Sequence, residues 1–375
     1  MTEAYIKLGE IATYINGYAF KPKDRGREGL PIIRIQDLTG NSNDKGFYKG
    51  KYPSKIEINN GDILISWSAS LGVYIWNSGR ALLNQHIFKV VFDKKAIDRD
   101  YFVYAVQFSL NKMKQLTHGA TMKHVVKKDF ENVSIPYPSL TEQRKIACIL
   151  DKLKKSMSKR LQELKKLDEL IKARFVEMFG DPVLNSQHYN LVKLSNLGAL
   201  ARGKSKHRPR NDPQLLGGPY PLIQTGEITN SDTFIKKFTN TYSELGLQQS
   251  KLWPKGTLCI TIAANIAQTA ILTFDACFPD SVVGFIPENS DITPLYLHYW
   301  FSFFQKIIDS QASQVAQKNI NLKVLSNLQV MLPPKNKQNE FANFVQQVDK
   351  SKVAVQKSLD ETQRLFDSLM QEYFG

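Results

Sequence analysis

Residues 141–180, TEQRKIACILDKLKKSMSKRLQELKKLDELIKARFVEMFG, run without a proline or an internal glycine, and Leu150, Met157, Leu164, Ile171 and Met178 recur in them at seven-residue spacing. Ile146, Ile149, Leu153, Leu161, Leu167 and Phe175 widen that row into an apolar stripe. Pro138-Ser139 before the stretch and Gly180-Asp181-Pro182 after it are start and stop signals. At a rise of 1.5 Å per residue such a helix is a rod of roughly 60 Å, far longer than the mean globular helix. Its heptad stripe has to be covered by a partner.

The chain contains that partner. Displaced by 195 positions, Gln338–Gly375 lies on Gln143–Gly180 without a gap, with Pro138/Pro333, Gln143/Gln338, Leu164/Leu359, Phe179/Phe374 and Gly180/Gly375 among the identities. Val345, Leu359, Phe366 and Tyr373 fall on the same seven-residue row, which Lys352 interrupts. Two long helices, each following a globular stretch, predict an intramolecular antiparallel coiled coil. The domains expected are 1–140, a helix over 141–182, a second domain over 183–334 and a second helix over 335–375.

The globular stretches are themselves repeated. YIKLGEIATYING (5–17), read as a short amphipathic helix, corresponds to LVKLSNLGALARG (191–203). PIIRIQDL (31–38), read as a β-rich run, corresponds to YPLIQTGEI, and ILISWS lies in the place of KGTLCITIA. ALLNQHIFKVVF (81–92) reads as one long, partly alternating strand, DYFVYAVQFSLNKM as a helix and ENVSIPYP as a final strand. The correspondence drifts from an offset of 186 to 195, so the second copy carries insertions. The fold class expected is α+β, a tandem duplication of domain and rod.

With 375 residues, 42% of them hydrophobic, the chain has material for ordinary cores, and no apolar run approaches the roughly 18 residues of a membrane span. No secretory pattern opens the chain, so a cytoplasmic location is expected. Three cysteines form no CxxC pair and six histidines show no zinc spacing, so no metal is assigned. A net charge of +15 points to a polyanionic partner. The surplus is uneven: 141–180 holds eleven Lys/Arg against six Asp/Glu, whereas 335–375 holds six against six.

Gly198–Ser205 satisfies the pattern GxxxxGK[ST], but a phosphate-binding loop needs a strand before it and a helix starting at its lysine. The preceding residues read as helix, and Pro209 and Pro213 forbid a helix after it, so the match is a coincidence. Arg202, Lys204, Lys206, His207, Arg208 and Arg210 instead form a basic loop that suits phosphates, a solvated loop being the bland alternative. Base edges demand Arg, Lys, Asn or Gln. Candidates in the first domain are Arg34, Gln36 and Asp37, then Asn84, Gln85 and His86, then Lys123 and His124. In the second domain they are Gln224, Thr225 and Glu227, then Gln317, Lys318 and Asn319. No methyltransferase, GxSxG or HExxH signature occurs, and Glu163-Leu164-Lys165 lies within the rod, so no catalytic residue is assigned.

Two domains of this kind, each followed by a P-x4-Q helix that closes in Phe-Gly, resemble the specificity subunit of type I restriction-modification enzymes. PYPSLTEQRKIACIL, its weaker copy PPKNKQNEFANFV, and the central FGDP carry the resemblance. It implies two target-recognition domains that each read half of a gapped site on double-stranded DNA. The paired helices would act as a ruler, and their outer faces would dock two methyltransferase subunits through which nuclease-translocase subunits join. It also implies a role in bacterial defence with no cofactor on this chain, S-adenosylmethionine, ATP and Mg²⁺ belonging to the partner subunits. Arg34, Gln36, Lys123 and Lys318 would face DNA. Antiparallel rods of roughly 60 Å would bound the separation of the domains to ~17 base pairs. A coiled-coil adaptor whose ends bind proteins, and a fused nuclease or methyltransferase with degenerate motifs, are the alternative readings.

Overall fold

The computed structural model describes residues 4–41, 44–68, 70–116, 127–263, 266–303, 307 and 320–375. It divides into two units, Met1–Leu161 with Lys357–Gly375, and Gln162–Gln356. In the first, strands Thr13–Asn16, Ile87–Val91, Ile63–Ser66 and Gly72–Ile75 form an antiparallel sheet in that order. A second sheet runs Phe47–Tyr48, Leu30–Ile33, Ala81–Leu83, Glu57–Ile58, with its two central strands parallel. Tyr5–Lys7 pairs with Ser134–Pro136, and the helix Arg99–Leu116 is followed by the short helix Lys127–Glu131.

The second unit repeats this plan with an added edge. Its larger sheet runs Gly198–Arg202, Val282–Pro287, Leu258–Thr261, Thr269–Leu272, Phe234–Ile235. Its smaller sheet runs Asn240–Tyr242, Leu216–Leu222, Ala276–Cys277, Leu252–Trp253, and Asn190–Lys193 pairs with Gln329–Leu332. The α+β duplication is therefore present.

Three local readings are corrected. Residues 5–17 are not one helix but strand Tyr5–Lys7, a single turn Leu8–Ile11 and strand Thr13–Asn16; the counterpart is strand, 3-10 turn Leu194–Asn196 and strand Gly198–Arg202. Ile6, Leu8, Ile11 and Tyr14 are all buried, a spacing that suits a helix as well as this broken path. What decides is pairing with Ile87–Val91, far along the chain. Residues 31–38 likewise leave the sheet after Ile33 for a helical turn, Ile35–Leu38. Finally, 81–92 is two strands in two sheets, Ala81–Leu83 and Ile87–Val91, broken at Asn84–His86, where His86 takes a left-handed backbone (φ 74°).

Both long helices form, Leu140–Phe179 and Lys335–Phe374, each 40 residues. The start of each is locked by its repeated glutamine. The fully buried Gln143 accepts from the Asp98 amide (2.8 Å) and donates to the Pro138 carbonyl (2.8 Å). Gln338, also buried, accepts from the Thr293 amide (2.9 Å) and donates to the Asp291 (2.7 Å) and Pro333 (3.0 Å) carbonyls. Asp98 and Thr293 in turn cap the domain helices through the amides of Tyr101 (3.0 Å) and Tyr296 (3.1 Å). The phenols of those tyrosines donate to the carbonyls of Pro136 (2.9 Å) and Met331 (3.0 Å) on the last strand of each domain. Each glutamine thus ties rod, domain helix and final strand with every polar group satisfied.

Within the first unit Leu150, Met370 and Phe374 are buried in the core and Phe366 and Tyr373 pack on it, with Phe374 against Tyr101 (ring centroids 5.2 Å). Within the second, Ile171, Phe175, Phe179, Phe341 and Val345 are core residues, Met178 packs on them, and Phe179 lies against Tyr296 (5.0 Å). Asp168 meets Lys352 (2.8 Å) and Phe175 meets Phe341 (5.5 Å), so the two helices run antiparallel there. Leu153, Met157, Leu164 and Leu359 are half-buried. The stripe is narrower than expected, because Ile149 (40% exposed) and Leu161 (57%) face solvent. Lys352, the interruption, is half-buried, and its ammonium also meets Asp232 (2.9 Å). Among the described residues no helix is long and apolar enough to cross a membrane.

Candidate nucleic-acid interface

In each domain the β-pairing brings three separate stretches to one rim. Leu30–Ile33 and Ala81–Leu83 run parallel, with Ile33 opposite Leu83, so Arg34 and Asn84 leave the sheet side by side; the Asn84 amide donates to the Ile33 carbonyl (3.1 Å). Tyr18 joins them: its amide donates to Leu83 (2.8 Å), and its carbonyl accepts from the Gln85 amide (2.9 Å). In the second domain Leu222 lies parallel to Cys277, and the Ile223 amide donates to the Cys277 carbonyl (2.8 Å), which sets Gln224 and Thr225 beside 278–281. The third stretch arrives at Gly203, whose amide donates to the Val282 carbonyl (2.9 Å), as that of Gly17 does to Ile87 (3.1 Å).

Both glycines are demanded by this crossing. A β-carbon on Gly17 would lie 1.9 Å from the Asn84 carbonyl oxygen, and one on Gly203 would lie 2.2 Å from that of Phe278. The second glycine of the GxxxxGK[ST] match is explained by this crossing. A strand, Gly198–Arg202, does precede Gly203, contrary to the helical reading, but no helix starts at Lys204. The glycine admits neighbouring backbone rather than a phosphate.

The side chains at the rim divide into structural and available groups. The Asp37 carboxylate accepts from the Arg34 amide (2.8 Å) and, with a side chain only 6% exposed, closes the turn Ile35–Leu38. Glu227 does the same for Gln224 (3.0 Å). Asp37 is therefore a cap, as the repeated Arg/Gln-x-x-Asp/Glu spacing could have signalled. Arg34 is held in place by Asp37 (3.4 Å) and by the Asp44 carbonyl. Gln36, Gln85 and Gln224 are exposed; Thr225, Asn84 and His86 are half-buried. The Asn84 carboxamide oxygen accepts from the Gln85 amide (2.8 Å), and the His86 ring leans on Trp67 (4.9 Å).

The basic loop joins the rim of the second domain. Gln224 and Thr225 line a pocket of about 190 Å³ together with Ser205, Arg210 and Ser281. The loop is organised by its own polar groups. Arg202 donates twice to the Asp280 carbonyl (2.8 and 2.6 Å), Arg210 pairs with the Asp280 carboxylate (2.5 Å), and Arg208 donates to the carbonyls of Ser205 (2.7 Å) and His207 (2.8 Å). The Gln249 carboxamide accepts from the Lys206 amide (2.6 Å), and His207 meets Asp212 (2.9 Å). The Gln214 amide and His207 hold the Asp212 carboxyl below the usual carboxylate range. Lys204 is exposed.

The chain order alone did not single out Tyr18, which stands 43% exposed at the first rim, edge-on to Phe20 (5.0 Å), itself edge-on to Tyr48 (5.1 Å). Its signal was the position directly after the crossing glycine that the two repeats share. Lys123, His124, Gln317, Lys318 and Asn319 lie outside the described residues. Among the described residues no group of three His, Cys, Asp or Glu side chains is placed to hold a metal ion.

Comparison with known proteins identifies the family. The profile of the family described as "Type I restriction modification DNA specificity domain" matches residues 3–166 and 188–362. The EcoBI type I restriction enzyme specificity subunit of Escherichia coli is 25% identical over 98% of this chain and 85% of its own length. The MjaVIII specificity subunit of Methanocaldococcus jannaschii is 24% identical over 92% of this chain and 85% of its own. Among solved structures, one from a study of complex assembly and conformational transition of the type I R-M system superposes with a TM-score of 0.63 at 17% identity, covering 100% of this chain and 98% of the other. The S subunit from M. genitalium gives 0.54 at 14% identity, covering 100% and 97%.

Proposed function

Because the chain belongs to the type I restriction-modification specificity family and carries its DNA specificity domain twice, we propose that each domain reads one half of a bipartite, gapped site on double-stranded DNA through the rim just described. The observation that carries this reading is the repetition itself. In both domains the same three backbone stretches converge, and the polar side chains at their meeting point differ in kind: the exposed Gln36 and Gln85 with the partly buried Arg34 in one, the exposed Gln224 with the half-buried Thr225 and the basic loop in the other. A shared scaffold with different side chains is what two half-sites of different sequence require. Phosphates are neutralised by Arg and Lys, while Gln and Asn pair with base edges, each bidentate pair carrying about 1–3 kcal/mol of discrimination.

On this reading the chain itself does no chemistry and acts in the cytoplasm. Methylation would be performed by two methyltransferase subunits docked on the outer faces of the paired helices, which hold S-adenosylmethionine. Nuclease-translocase subunits using ATP and Mg²⁺ would join through them. The helices set the spacer. Deleting one heptad from each, about 10 Å of rod, is expected to shorten the tolerated gap by ~3 base pairs; a mapped motif with unchanged spacing would count against the ruler.

The deciding experiment is co-expression with the methyltransferase subunit in a methylation-free host, followed by single-molecule mapping of N6-methyladenine. A gapped motif that appears only with this chain supports the reading and gives both half-sites. With the methyltransferase verified as expressed and soluble, the absence of any motif overturns it.

A further inference from the structure

We propose that Lys352 is a positioning residue: it fixes the angle at which the second recognition domain sits on its own helix pair, and so the discrimination of the half-site that this domain reads. The inference rests on the bipartite reading above.

The second domain meets the helices first through an apolar cluster. Phe341 and Val345 are fully buried, Phe175 stacks on Tyr296 (5.4 Å), and Phe341 lies edge-on to Tyr299 (5.3 Å). Apolar contact is non-directional, so such a cluster holds the domain on the helices while permitting small rotations about itself. Lys352 lies one heptad further along, about 10 Å away. There a lysine replaces the apolar residue that the stripe calls for.

Its side chain is 13% exposed, whereas its partners Asp168 and Asp232 are 53% and 79% exposed. Asp168 belongs to the first long helix, Lys352 to the second and Asp232 to the domain. The three groups meet at 2.8 and 2.9 Å. Asp232 is firmly part of the domain, since its neighbour Thr233 contacts the Tyr299 hydroxyl (3.0 Å) and its carbonyl accepts from the Ile271 amide (2.9 Å). Beside this junction a groove of about 930 Å³ separates the helix from the segment that starts at Gln224, with Lys236, Phe238 and Val353 in its walls. The rim-bearing segment is thus not packed onto the helix along the groove, and a directional charge junction spans it. Charge-assisted hydrogen bonds have the angular preference that apolar contact lacks. A buried polar group in a coiled-coil stripe trades stability for a unique geometry.

The first unit makes its second attachment differently. Met157 occupies the place of Lys352, and Tyr104 donates to the Asp151 carboxylate (2.6 Å) while Lys154 sits over the Tyr104 ring (4.7 Å). Tyr104→Phe therefore serves as the matching change in the other domain.

The test uses the complex with methyltransferase subunits and competition binding to duplexes that carry a mismatch in one half-site at a time. Lys352→Met is expected to lower discrimination at one half-site about tenfold, the lower end of what a base contact carries. Discrimination at the other half-site should be retained and the thermal midpoint should change little, because Asp168 and Asp232 are exposed and rehydrate, while the half-buried Asp349, whose charge Lys352 also favours, can take up a proton. Asp232→Asn, a surface change that leaves the core intact, should act in the same direction, and Tyr104→Phe at the opposite half-site. Full discrimination in both Lys352→Met and Asp232→Asn, or an equal loss at both half-sites, overturns the proposal. A parent complex that discriminates at neither half-site overturns the bipartite reading itself, and this proposal with it.

Discussion

Gln338 illustrates how a single residue can hold a junction together. Its carboxamide serves two carbonyls and the Thr293 amide from a fully buried position, so its replacement leaves partners unsatisfied where water does not reach. Gln338→Leu, close in volume, is expected to destabilise the second unit by about 1–3 kcal/mol, read as a shift in the urea midpoint at unchanged slope. His298 is a second case. Its ring is densely surrounded although the residue keeps some surface, and its Nδ1 meets the Thr269 hydroxyl (2.9 Å). Burial pushes its pKa down from 6.5 to about 4, against smaller opposing effects of Thr269 and Asp232. The unfolded chain therefore takes up a proton near pH 6.5 that the folded chain refuses until about pH 4. The associated stability is complete above that upper value and declines as the pH falls through the window, by roughly 3 kcal/mol at most. His298→Asn should flatten this part of the stability profile relative to the parent protein in denaturant titrations at stepped pH.

At the scale of elements, the long helices are amphipathic rods whose ends belong to domain cores. Phe374 is 7% exposed and lies with Met370 in the core of the first unit, more than two hundred residues from the helix Arg99–Leu116 whose Tyr101 and Phe108 it meets. Phe374→Ala is expected to cost that unit about 3 kcal/mol or more. The measurement is limited proteolysis, with new cleavage expected in 4–116, upstream of every long helix. The heptad spacing made both long helices legible in advance, because a 3.6-residue period leaves a direct trace in the chain, but it did not mark Phe341, Val348, Met370 and Phe374 as the residues the second helix buries. The exposed positions of Ile149 and Leu161 were not legible. An apolar residue next to the stripe carries no mark of whether a neighbour reaches it. The strands were less legible still: residues 5–17 and 81–92 satisfy the local pattern of other elements, and pairing over long sequence separations decides them.

For the whole molecule, duplication is the controlling fact, and it was visible in the residues alone. An ungapped offset over the helices and a drifting one over the domains already implied two similar α+β bodies, because insertions collect in loops while a packed heptad tolerates none. The +15 charge and the basic loop likewise pointed to a polyanion before any contact was known. The tertiary structure decided where the polar candidates stand. Asp37 had the composition of a base reader and is a buried cap; Tyr18 had no motif and stands at the rim; Lys352 looked like a flaw in a stripe and is a three-way junction. Periodicity and charge are properties of the chain, so they survive without coordinates. The convergence of three distant stretches at Gly17 and Gly203 depends on which backbone passes within a β-carbon's width of which other, and only the folded chain contains that information.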